Sequence, residues 1–160
     1  MNLFTNPKDI FKNYRIVIFG SYHPNNKPVL DRLVNYLKQR GFQQSKLAVD
    51  IIKIPDKLED VAYEAYILSE IEKIMHEVDY NLFIFFPNDN NSTLIELTSL
   101  IKSLEFPTLR ERTLVIINRN YNVSMLKGLL KKDKVYTFFY DNEIEICQKS
   151  YVFIKQNIFM

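Results

Sequence analysis

Asn81-Leu82-Phe83-Ile84-Phe85-Phe86 is a short, almost entirely apolar run, and Pro87-Asn88-Asp89-Asn90-Asn91-Ser92 follows it directly. A run of this length, rich in aromatic and branched side chains and closed by turn-forming residues, predicts a buried strand that ends in a loop. Apolar residues then recur at helical spacing. In open α/β sheets, ligands bind where a strand ends at its carboxyl side and a helix begins. We therefore expect a binding site at this loop.

Strands and helices alternate along the whole chain on both sides of this stretch. The predicted strands cover residues 14–20, 47–54, 80–86, 113–118 and 135–140. The predicted helices cover residues 28–41, 56–78, a segment from about residue 93 to 104, residues 125–131 and residues 144–158.

This alternation predicts an α/β fold, since several of the strands are apolar throughout, as a parallel sheet covered on both faces requires. We expect a single three-layer α/β/α domain over residues 1–160 with a five-stranded parallel sheet, Rossmann-like or flavodoxin-like. Of the possible strand orders, 2-1-3-4-5 is the commoner arrangement. Residues 1–13 are interpreted as an N-terminal extension that docks on this domain.

The composition narrows the class of protein. The chain has 160 residues, of which 47% are hydrophobic, and its net charge of +2 indicates no strong field for nucleic acid or an anionic membrane. The single Cys147 excludes an internal disulfide. No apolar stretch approaches the roughly 20 residues that cross a bilayer, and the N-terminus does not resemble a signal peptide. We therefore expect a cytoplasmic protein.

The small number of glycines argues against the common nucleotide-cofactor folds. Only three glycines occur in the chain, and neither the G-x-G-x-x-G fingerprint nor the Walker P-loop is present. A dinucleotide oxidoreductase or a P-loop NTPase is therefore disfavoured, and we expect no cofactor. His23 and His76 are predicted to lie far apart, so a metal site has little support. A phosphate could still bind at the amino end of the third predicted helix.

Polar residues follow most of the predicted strands, and in a parallel sheet these positions meet along one edge. They could bind a sugar, a base or a phosphate. Loops are enriched in such residues in any case, so both interpretations stay open. The candidate residues are Ser21, Tyr22, His23, Asp89, Asn90, Ser92, Asn118 and Arg119.

The segment Thr93-Leu94-Ile95-Glu96 has two interpretations. The first is a capping box, in which Thr93 and Glu96 bind each other's backbone N–H groups at the start of a helix. The second is catalytic, because Glu96 borders the apolar stripe of that helix near the predicted site. A carboxylate there could attack the anomeric carbon of a ribosyl ring as the base departs.

Residues 90–98, Asn90-Asn91-Ser92-Thr93-Leu94-Ile95-Glu96-Leu97-Thr98, resemble the D-x-G-T-x-x-E-x-G signature of nucleoside 2-deoxyribosyltransferases. The resemblance implies that Glu96 is the nucleophile and that Tyr22, after the first strand, helps to orient it. Asn90 stands where the signature has aspartate, and Ser92 and Thr98 stand where it has glycine. Residues 19–23 are also similar to the end of the first strand in TIR-like proteins. These proteins and the lysine-decarboxylase-like (LOG) group share the five-stranded fold.

Three functions are compatible with these features, and the third, after the two that follow, is a structural or interaction protein whose crevice holds no ligand. The first is an enzyme that cleaves or transfers at an N-glycosidic bond of a nucleoside or nucleotide, with the candidate residues binding the substrate. The second is a non-catalytic nucleotide-binding or signalling module that acts through oligomer contacts. The predicted helix 56–78 has a wide apolar surface that could form a homodimer, or that could pack under a tail of the same chain.

Overall fold

The sheet consists of five parallel strands in the residues that the computed structural model describes, which are 6–53 and 60–160. The strands are β1 (Arg15–Phe19), β2 (Gln44–Leu47), β3 (Tyr80–Phe85), β4 (Thr113–Asn118) and β5 (Tyr136–Tyr140). Their order in the sheet is β2-β1-β3-β4-β5, and each neighbouring pair is parallel. The predicted α/β fold and its order 2-1-3-4-5 are confirmed.

Helices connect these strands and cover the sheet. They are α1 (Pro7–Phe11), α2 (Lys27–Gln39), α3 (Ala48–Ile51), α4 (Asp60–Glu77), α5 (Asn91–Lys102), α6 (Phe106–Leu109), α7 (Ser124–Lys132) and α8 (Glu143–Phe159), with a 3-10 turn at Arg110–Arg112. The predicted helix 56–78 is α4, and its first four predicted residues lie outside the described ranges. Across residues 6–53 and 60–160, no helix is long and apolar enough to cross a membrane.

Both faces of the sheet are buried, which explains the continuous apolar runs. Ile16 and Ile18 of β1 belong to a core that includes residues of α2 and α8. Val17 and Phe19 belong to a second core that includes residues of α4, α5 and α7. Every residue of β3 and β4 is buried, so these central strands have no polar face.

The second strand differs from its prediction. It runs from Gln44 to Leu47 instead of covering residues 47–54, and the apolar residues that follow form α3. The reason is that β2 is an edge strand with alternating exposed and buried residues, so it lacks the continuous apolar run of a central strand. Ala48 is buried instead in the core on the α4 side of the sheet. The predicted strand therefore lies too far towards the C-terminus, and its last predicted residue, Ile54, lies outside the described residues.

Gly20 fixes the close approach of α2 to the end of β1. A Cβ atom at this position would lie 2.8 Å from Cδ2 of Leu30, closer than packed carbon atoms allow. The missing side chain lets the helix pack directly on the strand end. The loop from Ser21 to Asn26 is consequently held at the carboxyl edge of the sheet, beside the loop that follows β3.

Candidate functional site

Glu96 lies in the second turn of α5, and the capping-box interpretation of Thr93 and Glu96 is wrong. The helix begins at Asn91, two residues before Thr93, and its cap residue Asn90 makes no side-chain hydrogen bond to the helix. Thr93 is therefore inside the first turn, and its buried hydroxyl has no hydrogen-bond partner among the described residues. Glu96 is free of the capping role that the sequence pattern suggested.

The carboxyl of Glu96 is buried without a compensating charge. The residue is 8% exposed, and burial raises its pKa from an ordinary 4.5 to about 8. No hydrogen bond or salt bridge to Glu96 is found within residues 6–53 and 60–160. A desolvated carboxyl of this kind is costly to ionise, and such groups are concentrated at functional sites.

The Tyr22 hydroxyl lies within electrostatic range of Glu96 and of Asp50. Burial raises the pKa of the Tyr22 hydroxyl, and the negative charges of Glu96 and Asp50 raise it further. The Tyr22 oxygen accepts a hydrogen bond from the backbone N–H of Val49 at 3.2 Å. Since that bond occupies an acceptor position, the phenolic proton stays available for a carboxylate or a substrate hydroxyl. The structure thus brings the predicted pair Glu96 and Tyr22 together.

Asn90 braces the loop between β3 and α5. It is 2% exposed, its Oδ1 accepts from the Phe86 N–H at 2.7 Å, and its Nδ2 donates to the Phe86 carbonyl at 2.6 Å. Both ends of the amide are therefore engaged by the backbone at the end of the strand. Asp89, just before it, has a positive φ of 66°, which short polar side chains tolerate. These contacts set the direction in which α5 leaves the sheet.

The loops after β1 and β3 lie side by side at the carboxyl edge. Nδ2 of Asn26 donates to the carbonyl of Asn88 at 3.3 Å, and Nδ1 of His23 lies 4.0 Å from Oδ2 of Asp89. The oxygen of buried Ser21 accepts from the His23 N–H at 3.2 Å, which closes the turn. The predicted candidates of these two loops are therefore neighbours, and Ser21 has a role in shaping its loop.

Asn118 and Arg119 form a separate group at the ends of β4 and β5. Asn118 is 9% exposed, and its Oδ1 accepts from the Asn120 N–H at 2.9 Å, within the same loop. Nε of the exposed Arg119 donates to Asp141, just after β5, at 2.9 Å. Neither side chain hydrogen-bonds Glu96 among the described residues. Both residues share the carboxyl edge with the other candidates.

A cavity of about 460 Å³ opens between α4 and α5 and has Glu96 in its wall. Its polar end is formed by Ser92 and Glu96, and Glu64 lies on the opposite helix. The remaining wall consists of apolar and aromatic side chains, namely Tyr63, Ile67, Leu68, Ile71 and Ile95. An apolar cavity with few polar groups is the usual form of a small-molecule site.

The sequence did not reveal two parts of this site. Asp50 lies in the segment that was interpreted as a strand, and only its place in α3 brings it near Tyr22. The wall from α4 did leave a signal, because its residues belong to the wide apolar surface that the sequence shows on this helix. Tyr63 and Leu68 stay 40% and 36% exposed, so this part of the surface is not covered by the described residues.

No protein-family model matches the chain, and no curated protein matches its sequence. Among solved structures, the chain is similar to a CMP N-glycosidase of Clostridium botulinum, BcmB, with a TM-score of 0.52 and 13% sequence identity. The match covers 86% of this chain and 98% of that chain. At this identity, the likeness shows that the two chains share a fold.

Proposed function

We propose that this protein cleaves or transfers at the N-glycosidic bond of a nucleoside or nucleotide, with Glu96 as the nucleophile. The observation that carries the proposal is the buried, unpaired Glu96 carboxyl beside Tyr22, in the wall of an apolar cavity. A carboxylate in the wall of a cavity is suited to meet the positive charge that develops on a sugar as its base leaves. The fold likeness to a protein described as a CMP N-glycosidase supports a nucleotide as the substrate class.

In the proposed reaction, the bond from C1′ to the base nitrogen breaks, and its electron pair leaves with the base, which then takes a proton. One Glu96 oxygen bonds to C1′ and forms a glycosyl ester. Water then attacks C1′ and releases the sugar with the carboxylate restored, or a second base attacks and completes a transfer. Tyr22 donates its free phenolic proton to a carboxylate oxygen or a sugar hydroxyl and so holds the reacting groups in place.

The other predicted residues have supporting roles in this proposal. Ser92 is exposed one turn before Glu96 and can contact the sugar or its phosphate. Asn90 and Ser21 shape the loops, and His23 and Asp89 lie at their rim. Asn118 and Arg119 extend the edge towards β5, and in this proposal the Arg119 guanidinium, which pairs with Asp141, contacts a phosphate of the substrate.

The test is base release by the purified protein from a panel of ribo- and deoxyribonucleotides, followed by chromatography. We expect release in the wild type, and loss by a factor of at least 10³ in Glu96→Gln, because the amide cannot form the ester. The matched control is Glu77→Gln, an exposed glutamate at the end of α4, which should keep full activity. Retained activity in Glu96→Gln would show that another group carries the reaction.

The pH dependence tests the role of the carboxyl. Because burial raises the pKa of Glu96 to about 8, this carboxyl must lose its proton before it can act as a nucleophile. The value of kcat/KM should therefore rise with pH and level off above about 8. A profile that falls through the same pH would assign Glu96 as a proton donor instead.

The second candidate is a nucleotide-binding module without turnover. It is favoured by Asn90, which stands where the deoxyribosyltransferase signature has aspartate and uses its amide to hold the backbone of Phe86. This candidate predicts thermal stabilisation by a nucleotide without any base release, since a ligand that binds only the folded state raises its stability. Its oligomer contacts through α4 stay a prediction.

A further inference from the structure

The cavity between α4 and α5 has a largely apolar wall next to Glu96. Tyr63, Ile67 and Leu68 of α4 face the cavity from one helix, and Ile95 faces it from the other. Ile95 is 60% exposed and Tyr63 is 40% exposed, so the described residues leave this apolar surface uncovered. The surface adjoins Glu96 within one cavity, which makes it accessible to a ligand that reaches that carboxyl.

The dimensions and the wall suit a planar ring. The cavity volume of about 460 Å³ falls in the range of small-molecule sites and exceeds the space that one nucleobase fills. The aromatic ring of Tyr63 and the branched side chains around it offer stacking and dispersion contacts to such a ring. Since the same cavity contains Glu96, a sugar with its C1′ at that carboxylate can extend its base along this wall.

Glu64 supplies the polar contact in this wall. It lines the cavity from α4 and is exposed, and a carboxylate can only accept hydrogen bonds. Glutamate pairs with the exocyclic amino group of cytosine in nucleic-acid recognition, and adenine presents the same kind of donor. Uracil and hypoxanthine present a carbonyl oxygen at the corresponding position, which a carboxylate repels.

We propose that the wall formed by Tyr63, Ile67 and Leu68 binds the substrate's base and that Glu64 selects bases with an exocyclic amino group. This inference rests on the proposed function and adds the substrate class to it. The wall holds the base while its bond to C1′ breaks. Glu64 discriminates between bases with an exocyclic amino group and bases with a carbonyl oxygen at that position. Catalysis at C1′ stays with Glu96 on the facing helix.

The first experiment compares kcat/KM for base release from CMP and UMP, and from AMP and IMP. We expect a preference of about tenfold for the amino member of each pair, and a ratio near one in Glu64→Gln, since glutamine can donate as well as accept. Leu68→Trp should lower kcat/KM for all four nucleotides, because the indole fills the space of the base. Glu77→Gln should leave every ratio unchanged. An unchanged ratio in Glu64→Gln would overturn the selection.

The second experiment uses free cytosine and uracil and needs no turnover. Calorimetry should show that cytosine binds more tightly than uracil, and that Leu68→Trp abolishes binding. If the wild type binds cytosine in this way but releases no base from any nucleotide, the proposed reaction fails while the base site stands. If base release occurs but neither variant alters it, or if cytosine does not bind, the base site is wrong.

Discussion

Replacement of Glu96 by glutamine should stabilise the folded protein, and by more as the pH rises. The wild-type carboxyl is buried, and its pKa is raised by that burial from 4.5 to about 8. Between these pH values the unfolded chain has released the proton that the folded protein keeps, so wild-type stability falls as the pH rises. Below pH 4.5 this loss is absent, and above about 8 it is complete. The amide has nearly the same shape and carries no charge at any pH.

The size of the effect follows from the two pKa values. A difference of one pH unit corresponds to about 1.4 kcal/mol, so the interval from 4.5 to about 8 corresponds to about 5 kcal/mol in total. Between pH 5 and pH 9 about 4 kcal/mol of it should be observed. This is a large part of the 5–15 kcal/mol that usually separates folded from unfolded states, so it is well within reach of measurement.

The assay is urea unfolding of the wild type and of Glu96→Gln at pH 5, 7 and 9, with the free energy of unfolding extrapolated to water. The difference between the two proteins cancels the titration of all other groups. The control Glu77→Gln removes an exposed carboxyl from α4, and its difference from the wild type should stay within about 0.5 kcal/mol across the range.

A difference that is the same at all three pH values would refute the reasoning, since it would show that Glu96 ionises as easily in the folded protein as in the unfolded chain. The expected pattern also separates function from packing. If Glu96 were kept only for structure, its replacement by glutamine should not raise the stability of the folded protein. A variant that is more stable at pH 9 and inactive in base release is the pattern of a catalytic group held in an unfavourable place.

Three further variants test other parts of the structure. Tyr22→Phe removes the free phenolic proton beside Glu96 and should lower kcat about tenfold or more while thermal unfolding shows a folded protein; unchanged kcat would remove Tyr22 from the site. Asn90→Asp restores the signature residue but leaves the Phe86 carbonyl facing a carboxylate, so urea unfolding should show a loss of about 2–4 kcal/mol, and no loss would mean that the amide contact is dispensable. Gly20→Ala places a methyl group 2.8 Å from Leu30 and should cost about 1–3 kcal/mol by the same assay, whereas wild-type stability would show that α2 can shift.

The central strands were predictable from the sequence because every residue in them is buried. β3 and β4 are buried throughout and consist mostly of apolar residues, so their bounds follow from the sequence within one residue. The edge strand β2 was misplaced because only alternate residues of Gln44–Leu47 are buried, and the apolar segment after it is a short helix. The local sequence pattern therefore predicted the bounds of the central strands better than those of the edge strand.

The sequence by itself determined the layered α/β fold, the carboxyl edge after β3 and the choice of Glu96 and Tyr22 as candidates. The fold and the position of this edge depend on local periodicity and turn chemistry, which neighbouring residues in the chain specify. The choice of Glu96 and Tyr22 as a pair rests on the resemblance of residues 90–98 to the deoxyribosyltransferase signature. The tertiary structure alone decided that Glu96 is desolvated, that Asp50 lies near Tyr22 and that α4 adds an apolar wall. The physical reason is that burial and charge proximity depend on which helices pack across the site, and those helices are far apart in the chain.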